Sequence, residues 1–333
     1  MASLDYPYPD TPAPGETVEV APGVRWLSMP LPFALDHINL WLVGDTIVDT
    51  GIADERTRSL WEQVLSQKQI SRVILTHYHP DHAGNAAWLC RKFGVPLWTT
   101  QGEYLTAHAV RASTAGYTSE AVVDVFLKNG LEPARAAKMV GRGNRYAALV
   151  PDFPTSYRRI IGGDRVPIAG HDWRAFIGHG HAPEHLSLYC EALNVVIAGD
   201  MLLSTISTNV SVWSIDPEGD PLRLFLESLK RYRELPEDVL VLPSHGKPFR
   251  GAHQRVAALE AHHQAHFEKI VDALKGKQSS AGELLGLLFR RPLDAHQTFF
   301  AMGEAIAHLH YLYYAGRLKR ANGSDGIMRY AAS

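Results

Sequence analysis

Short apolar runs separated by turn residues dominate the first fifty positions. Stretches 18–20, 24–29, 38–43 and 46–49 are β-branched and aromatic, with Pro-Gly or Gly-Asp between them, and they predict consecutive strands. The period then changes. From Asp54 to about residue 68, Leu60, Trp61 and Leu65 share one stripe of an amphipathic helix. A short apolar strand over 70–75 runs straight into His77-Tyr78-His79-Pro80-Asp81-His82. A helix over 85–93 and a strand over 96–99 follow.

Residues 101–156 interrupt this strand-rich body with helical patterns at 119–128 and 133–140. Strands resume at 157–161, 174–178, 186–190 and 195–198. A helix over 221–235 and a strand over 239–242 lead to Pro243-Ser244-His245-Gly246. Strands alternating with helices in two similar halves argue for an α/β fold, with sheets covered by helices on their outer faces. Beyond residue 251 the pattern is helical at 254–275, 280–290 and 294–315. A strand-turn-strand then spans 317–320 and 327–330. This predicts an extended arm over 1–16, a body over 17–250 with a helical insertion at about 101–156, and a small winged-helix-like domain over 251–333.

Composition removes several function classes. The formal net charge of −2 over 333 residues gives no bulk attraction to nucleic acid or anionic membranes. No apolar run is long enough to span a bilayer, and the start does not read as a signal peptide, so a cytoplasmic setting is expected. Cys90 and Cys190 lack metal-type spacing and are expected to be buried thiols. The unusual count is seventeen histidines.

Transition metals need converging lone pairs, and imidazole nitrogen and carboxylate oxygen both suit zinc. In extended chain, residues two apart point the same way, so His77 and His79 can face one ion. Pro80 bends the chain and brings Asp81 and His82 toward a neighbouring position. Gly84 is expected to permit a sharp turn into the next helix. His179, His181 and His185 are crowded, and spacing alone does not choose among them. The helical histidines His262, His263, His266, His308 and His310 read as a packed or solvated face.

The motif His77-x-His79-x-Asp81-His82 resembles the signature of the metallo-β-lactamase-fold superfamily, on its hydrolase, glyoxalase II-like side. The other motifs are similar and in order: Val48-Asp49-Thr50-Gly51, Gly180-His181-Ala182-Pro183-Glu184-His185, Ala198-Gly199-Asp200 and Leu242-Pro243-Ser244-His245-Gly246. Glu184 stands where that family usually has glycine. The resemblance implies a four-layer αββα sandwich. It also implies that His77, His79 and His181 hold one metal, that Asp81, His82 and His245 hold a second, and that Asp200 bridges them. Asp81 would also orient the nucleophile or take its proton. His185 would stand behind the ligands, and Asp49 would hydrogen-bond the metal loop. Two divalent cations would lower the pKa of a shared water and supply hydroxide near neutral pH. Five imidazoles and two carboxylates favour zinc, while iron or manganese fit the same arrangement.

The fold leaves the substrate open. His79, rather than glutamate, argues against the diiron redox branch. The expected substrate is a small ester, thioester or lactone, with Asn209 and Trp213 as candidate pocket residues and the insertion as a cap. The alternative is an endoribonuclease acting on single-stranded RNA, because the tail resembles that of the β-lactamase-like endoribonucleases. Residues 251–333 carry ten Lys/Arg against seven Asp/Glu, and the segment 293–315 has no Lys or Arg. That weak footprint disfavours nucleic acid, though Arg317, Lys319 and Arg320 keep the option open. The tail is expected to wall the cleft or to mediate a homodimer.

Overall fold

A computed structural model describes residues 4–32, 35–140, 143–289 and 292–333. It contains a seven-stranded sheet in the order β1-β2-β3-β4-β5-β6-β7. These strands are Thr17–Ala21, Val24–Pro30, His37–Val43, Thr46–Val48, Arg72–Ile74, Leu97–Thr99 and Arg158–Arg159. β1 to β4 form an antiparallel meander, and β4 to β7 run parallel. A second sheet is ordered β12-β11-β10-β9-β8. From β8 to β12 its strands are Arg165–Ile168, His171–Gly178, His185–Cys190, Val195–Gly199 and Leu240–Pro243.

Alternation along β2 and β3 explains how the sheets stack, because successive side chains leave a strand on opposite faces. Leu27, Met29, Ile38, Leu40 and Leu42 join Trp61, Leu89 and Ala107 of the helices Glu55–Val64, Ala86–Phe93 and Gln101–Arg111. Trp26, Trp41 and Val43 face the other way, onto Trp173, Leu186, Leu188 and Ile197 of the second sheet. Trp26 and Trp41 pair across the strands with rings stacked 6.3 Å apart. On the far face of the second sheet, Tyr232 hydrogen-bonds Ser187 and Arg231 lies over Phe176. This is the expected α/β sandwich, with helical segments outside two apposed sheets.

Local differences have local causes. The first helix ends at Val64 rather than near 68. Asp54 caps its start by accepting the Thr57 N–H at 2.6 Å. Gly84 does not turn the chain through a left-handed backbone: its φ is −54°. Its requirement is space, since a Cβ there would lie 2.6 Å from both the Ala53 nitrogen and the Gly51 oxygen.

The described chain divides into two compact units that interleave along the sequence. The first holds both large sheets and comprises residues 1–112, 146–208 and 228–256. The second comprises 113–145, 209–227 and 257–333. Residues 101–156 are therefore shared: the helix Gln101–Arg111 belongs to the first unit, and the helices Ser119–Lys128 and Pro133–Val140 to the second. The second unit also takes in most of helix Ala252–Ala273, together with helices Ala281–Leu288 and Ala295–Tyr314. Capping boxes start the last two, Ser280 with Glu283 and Asp294 with Gln297. The predicted end of the middle helix, Arg290, lies outside the described residues, as do Met1 to Ser3 of the expected arm. A three-stranded sheet of β13 (Gln278–Ser279), β15 (Met328–Ala332) and β14 (Leu318–Asn322) completes this unit.

Candidate metal centre

Four loops at strand ends of the first unit carry the candidate ligands. β5 ends at Ile74, and Thr76 to Ala83 follow as a loop and one short helical turn, Pro80–Ala83. Asp49, just beyond β4, anchors this loop. It is fully buried and takes three hydrogen bonds at 2.8 Å, from the Thr76 N–H, the Thr76 hydroxyl and His82 Nδ1. Its backbone has φ +61°, a conformation that aspartate tolerates better than most residues. Asn39 on β3 ties down the last loop by donating to the carbonyls of Pro243 and Gly246 on either side of His245.

Two groups of donors result. His77, His79, His181 and Asp200 converge, as do Asp81, His82 and His245. In the first, His77 Nε2 lies 2.9 Å from His79 Nδ1 and 3.2 Å from His181 Nε2, and His181 Nε2 lies 3.5 Å from Asp200 Oδ2. In the second, Asp81 Oδ2 lies 3.3 Å from His245 Nε2 and 3.7 Å from His82 Nε2. Asp200 faces both: its other oxygen, Oδ1, is 3.6 Å from His82 Nε2 and 3.7 Å from His245 Nε2.

The atoms behind the ligands set their tautomers. A carboxylate or carbonyl oxygen only accepts, so His82 Nδ1 carries its proton toward Asp49 and His245 Nδ1 toward the His37 carbonyl at 3.0 Å. Each then presents Nε2 to the cluster. Thr76 gives its hydroxyl proton to Asp49 and can accept from His77 Nδ1 at 3.0 Å. His185 accepts the Asp200 N–H at 3.1 Å and so stands behind the ligands. A Cβ on Gly199 would meet that ring at 2.5 Å, which explains the glycine before Asp200. His179 turns away to the Pro183 carbonyl, so His181 is the member of the crowded trio that enters the cluster.

Electrostatics divide the site. Burial and neighbouring imidazoles hold His77 and His79 well below the ordinary histidine range, leaving their lone pairs free. Burial opposes protonation of His82, but Asp49, Asp81 and Asp200 prevail and push it up to about 10. His245 moves the same way: burial lowers it, and Asp200 and Asp81 raise it further. Burial would raise the Asp81 carboxyl, yet His82 and His245 hold it well below the usual carboxylate range.

These residues fit a divalent cation. Among the described residues, His82 Nε2 and Asp200 Oδ1 are buried without hydrogen-bond partners while facing each other. Such orphans cost about 1–3 kcal/mol each unless another group satisfies them. Ligand bonds of about 2.0–2.1 Å in a tetrahedral shell put donors about 3.3 Å apart, within the spread seen in the first group.

Of the remaining sequence candidates, Asn209 and Trp213 belong to the second unit. Asn209 donates to Glu304 at 3.2 Å and accepts from Ser211 at 2.8 Å, and the Trp213 ring lies 5.3 Å from that of Phe299. Burial pushes the Glu304 carboxyl up to about 7, against the Asn209 hydrogen bond. Sequence reasoning missed Thr76, Thr208, whose hydroxyl bonds the Asp200 carbonyl, and Glu103. Glu103 is buried between two metal loops, and that burial pushes its carboxyl up to about 8. Thr76 had a signal, standing between a strand and the first histidine. Glu103 had none.

Comparison with known proteins agrees with this geometry. Residues 35–245 match the family described as metallo-beta-lactamase superfamily, and residues 267–333 match metallo-beta-lactamase-like, C-terminal domain. The chain is 25% identical over 298 residues to a probable metallo-hydrolase, YqjP, of Bacillus subtilis, covering 86% of this chain and 91% of that protein. Among solved structures it resembles a beta-lactamase domain protein from Burkholderia ambifaria, at 48% identity and TM-score 0.93, over 99% of this chain and 98% of that one. A metallo-beta-lactamase family protein from Thermus thermophilus matches at 29% identity and TM-score 0.78, over 95% and 100%. The chain therefore belongs to the metallo-β-lactamase superfamily, among its metal-dependent hydrolases.

Proposed function

We propose that the protein uses a pair of divalent ions, zinc by preference, to hydrolyse a small ester, thioester or lactone. The observation carrying this reading is Asp200, whose two oxygens face two separate sets of nitrogen donors. His77, His79 and His181 would hold one ion, Asp81, His82 and His245 the other, and Asp200 both. When bound, such a pair activates water and polarises the bond under attack.

The chain's own residues do the rest. Thr76, Asp49 and the His37 carbonyl keep three imidazoles in the tautomer that presents Nε2. His185 fixes the peptide of Asp200. Asp81 has 18% of its side chain exposed, against 0% for His82 and 4% for His245, so it can meet a water and take its proton. Water adds to the acyl carbon, the C–O or C–S bond breaks, and the departing alkoxide or thiolate receives that proton.

Support for RNA as substrate weakens at the tail. Arg317 pairs with Glu268 at 3.1 Å, and Arg320 pairs with Glu218, so two of its three clustered cations are already matched. The test is a panel of thioesters, lactones, esters and single-stranded RNA given to metal-free and reconstituted protein. Metal-dependent turnover of an acyl substrate, lost in Asp200→Ala, is expected. Cleavage of RNA alone would replace this reading.

A further inference from the structure

The three histidines of the first donor group come from two loops far apart in sequence, and one side chain joins them. Glu103, in the first turn of helix Gln101–Arg111, is 1% exposed. Its Oε2 accepts the N–H of Tyr78 at 2.9 Å, between His77 and His79. Its Oε1 accepts the N–H of Glu184 at 2.7 Å, between His181 and His185. Each of these residues is also held through its carbonyl. The Tyr78 carbonyl accepts from the Tyr146 hydroxyl at 2.6 Å, and the Glu184 carbonyl from the Thr100 hydroxyl at 2.8 Å. Glu184 answers by capping the same helix, its Oε2 accepting the Gly102 N–H at 2.7 Å. A Cβ on Gly102 would lie 2.9 Å from Glu184 Cγ, so glycine makes room for that reach.

We propose that Glu103 is a positioning residue that sets the separation of the His77/His79 and His181 loops and thereby the affinity of the first metal position. This rests on the metal-binding reading above. The residue type follows from hydrogen-bond chemistry. Both oxygens accept an N–H, and these two bonds favour the ionised carboxylate against the burial that raises its pKa; glutamine would turn an NH2 group against one of the two N–H donors. The departure from glycine at position 184 belongs to the same device, because only a side chain there can reach back to the helix. Asp81, His82 and His245 receive no bond from Glu103, so its loss acts on one position first.

The test compares full-length wild type with Glu103→Gln. Metal-free protein is titrated with Zn2+ against a chromophoric chelator, and with Co2+ to read the ligand-field spectrum. Removing such outer support is expected to weaken one binding step about 10–100-fold and to shift the Co2+ spectrum, with unchanged far-UV circular dichroism. Wild-type affinity and spectrum in Glu103→Gln would overturn the proposal. Hydrogen exchange in metal-free wild type gives a second readout should the variant not fold. The Tyr78 and Glu184 amides are expected to be strongly protected, and exchange at open-loop rates would equally overturn it. A wild type that binds no metal would instead sink the functional reading, leaving the amide protection to decide the clamp.

Discussion

Asp49→Asn is the most informative substitution behind the metal loop. Asparagine has nearly the same shape and tolerates the φ of +61° at this position, so the backbone stays unstrained. It keeps one oxygen for the Thr76 N–H but places an NH2 group where Oδ2 now receives His82 Nδ1 and the Thr76 hydroxyl. Two donors then confront a donor in a fully buried setting. The cheapest relief is for His82 to give up its Nδ1 proton and keep one on Nε2, the atom that faces Asp81 and Asp200. A hydrogen bond to a charged partner is worth about 1.5–3 kcal/mol, and losing it from the ligand-competent tautomer corresponds to about a 10–100-fold loss of metal affinity. Chelator competition measures that loss, and 15N chemical shifts of the His82 ring report the tautomer. Wild-type affinity with the proton still on Nδ1 would refute the argument.

Three further outcomes follow from the same structure. Facing carboxylates push His82 up to about 10, which keeps it protonated at neutral pH in the metal-free protein, so metal binding should release a proton and tighten as pH rises; calorimetry in buffers of different ionisation enthalpy checks this, and buffer-independent heats would contradict it. In the second unit, burial holds His263 down to about 2 and His308 down to about 4, with His263 Nδ1 3.2 Å from His308 Nε2 and with His262, His266 and Lys269 in the same group. These rings stay neutral when folded, whereas the unfolded chain protonates them below about pH 6.5. Stability is therefore fully present above that pH and lost as pH falls toward 4, on the order of 3 kcal/mol for His308 alone. Denaturant melts at pH 7 and pH 5 should show a smaller acid penalty in His308→Phe than in wild type, and an equal penalty would contradict the sign. Gly84→Ala should lower stability by about 1–3 kcal/mol, because its Cβ would meet three backbone atoms of the 51–53 segment, and an unchanged Tm would show that this segment can move.

Much of this molecule was legible from local pattern. β2 and β3 could be read because both faces of each strand pack on apolar partners, so the runs are long and rich in aliphatic and aromatic residues. The metal loop could be read because its donors are crowded into six residues. What was hidden depends on distance or on weak signal. β8 contains Arg165 and Pro167 in four residues and is an edge strand, so its alternation is too short to register. The choice of His181 over His179 and His185 is made by a carbonyl and a peptide N–H that no spacing encodes. Glu103 acquires meaning only through Glu184, eighty-one positions later. The tail histidines were read as a packed or solvated face, and His263, His308 and His310 are buried.

The central claim is that two clusters sharing Asp200 hold two ions that act together on one scissile bond. Metal content and acyl hydrolysis measured on the same preparation test it, with metal-free protein reconstituted stepwise. The account predicts two equivalents bound per chain and turnover that reaches its maximum only with the second. Full turnover in rigorously metal-free protein, or a chain that binds no divalent ion, would contradict it.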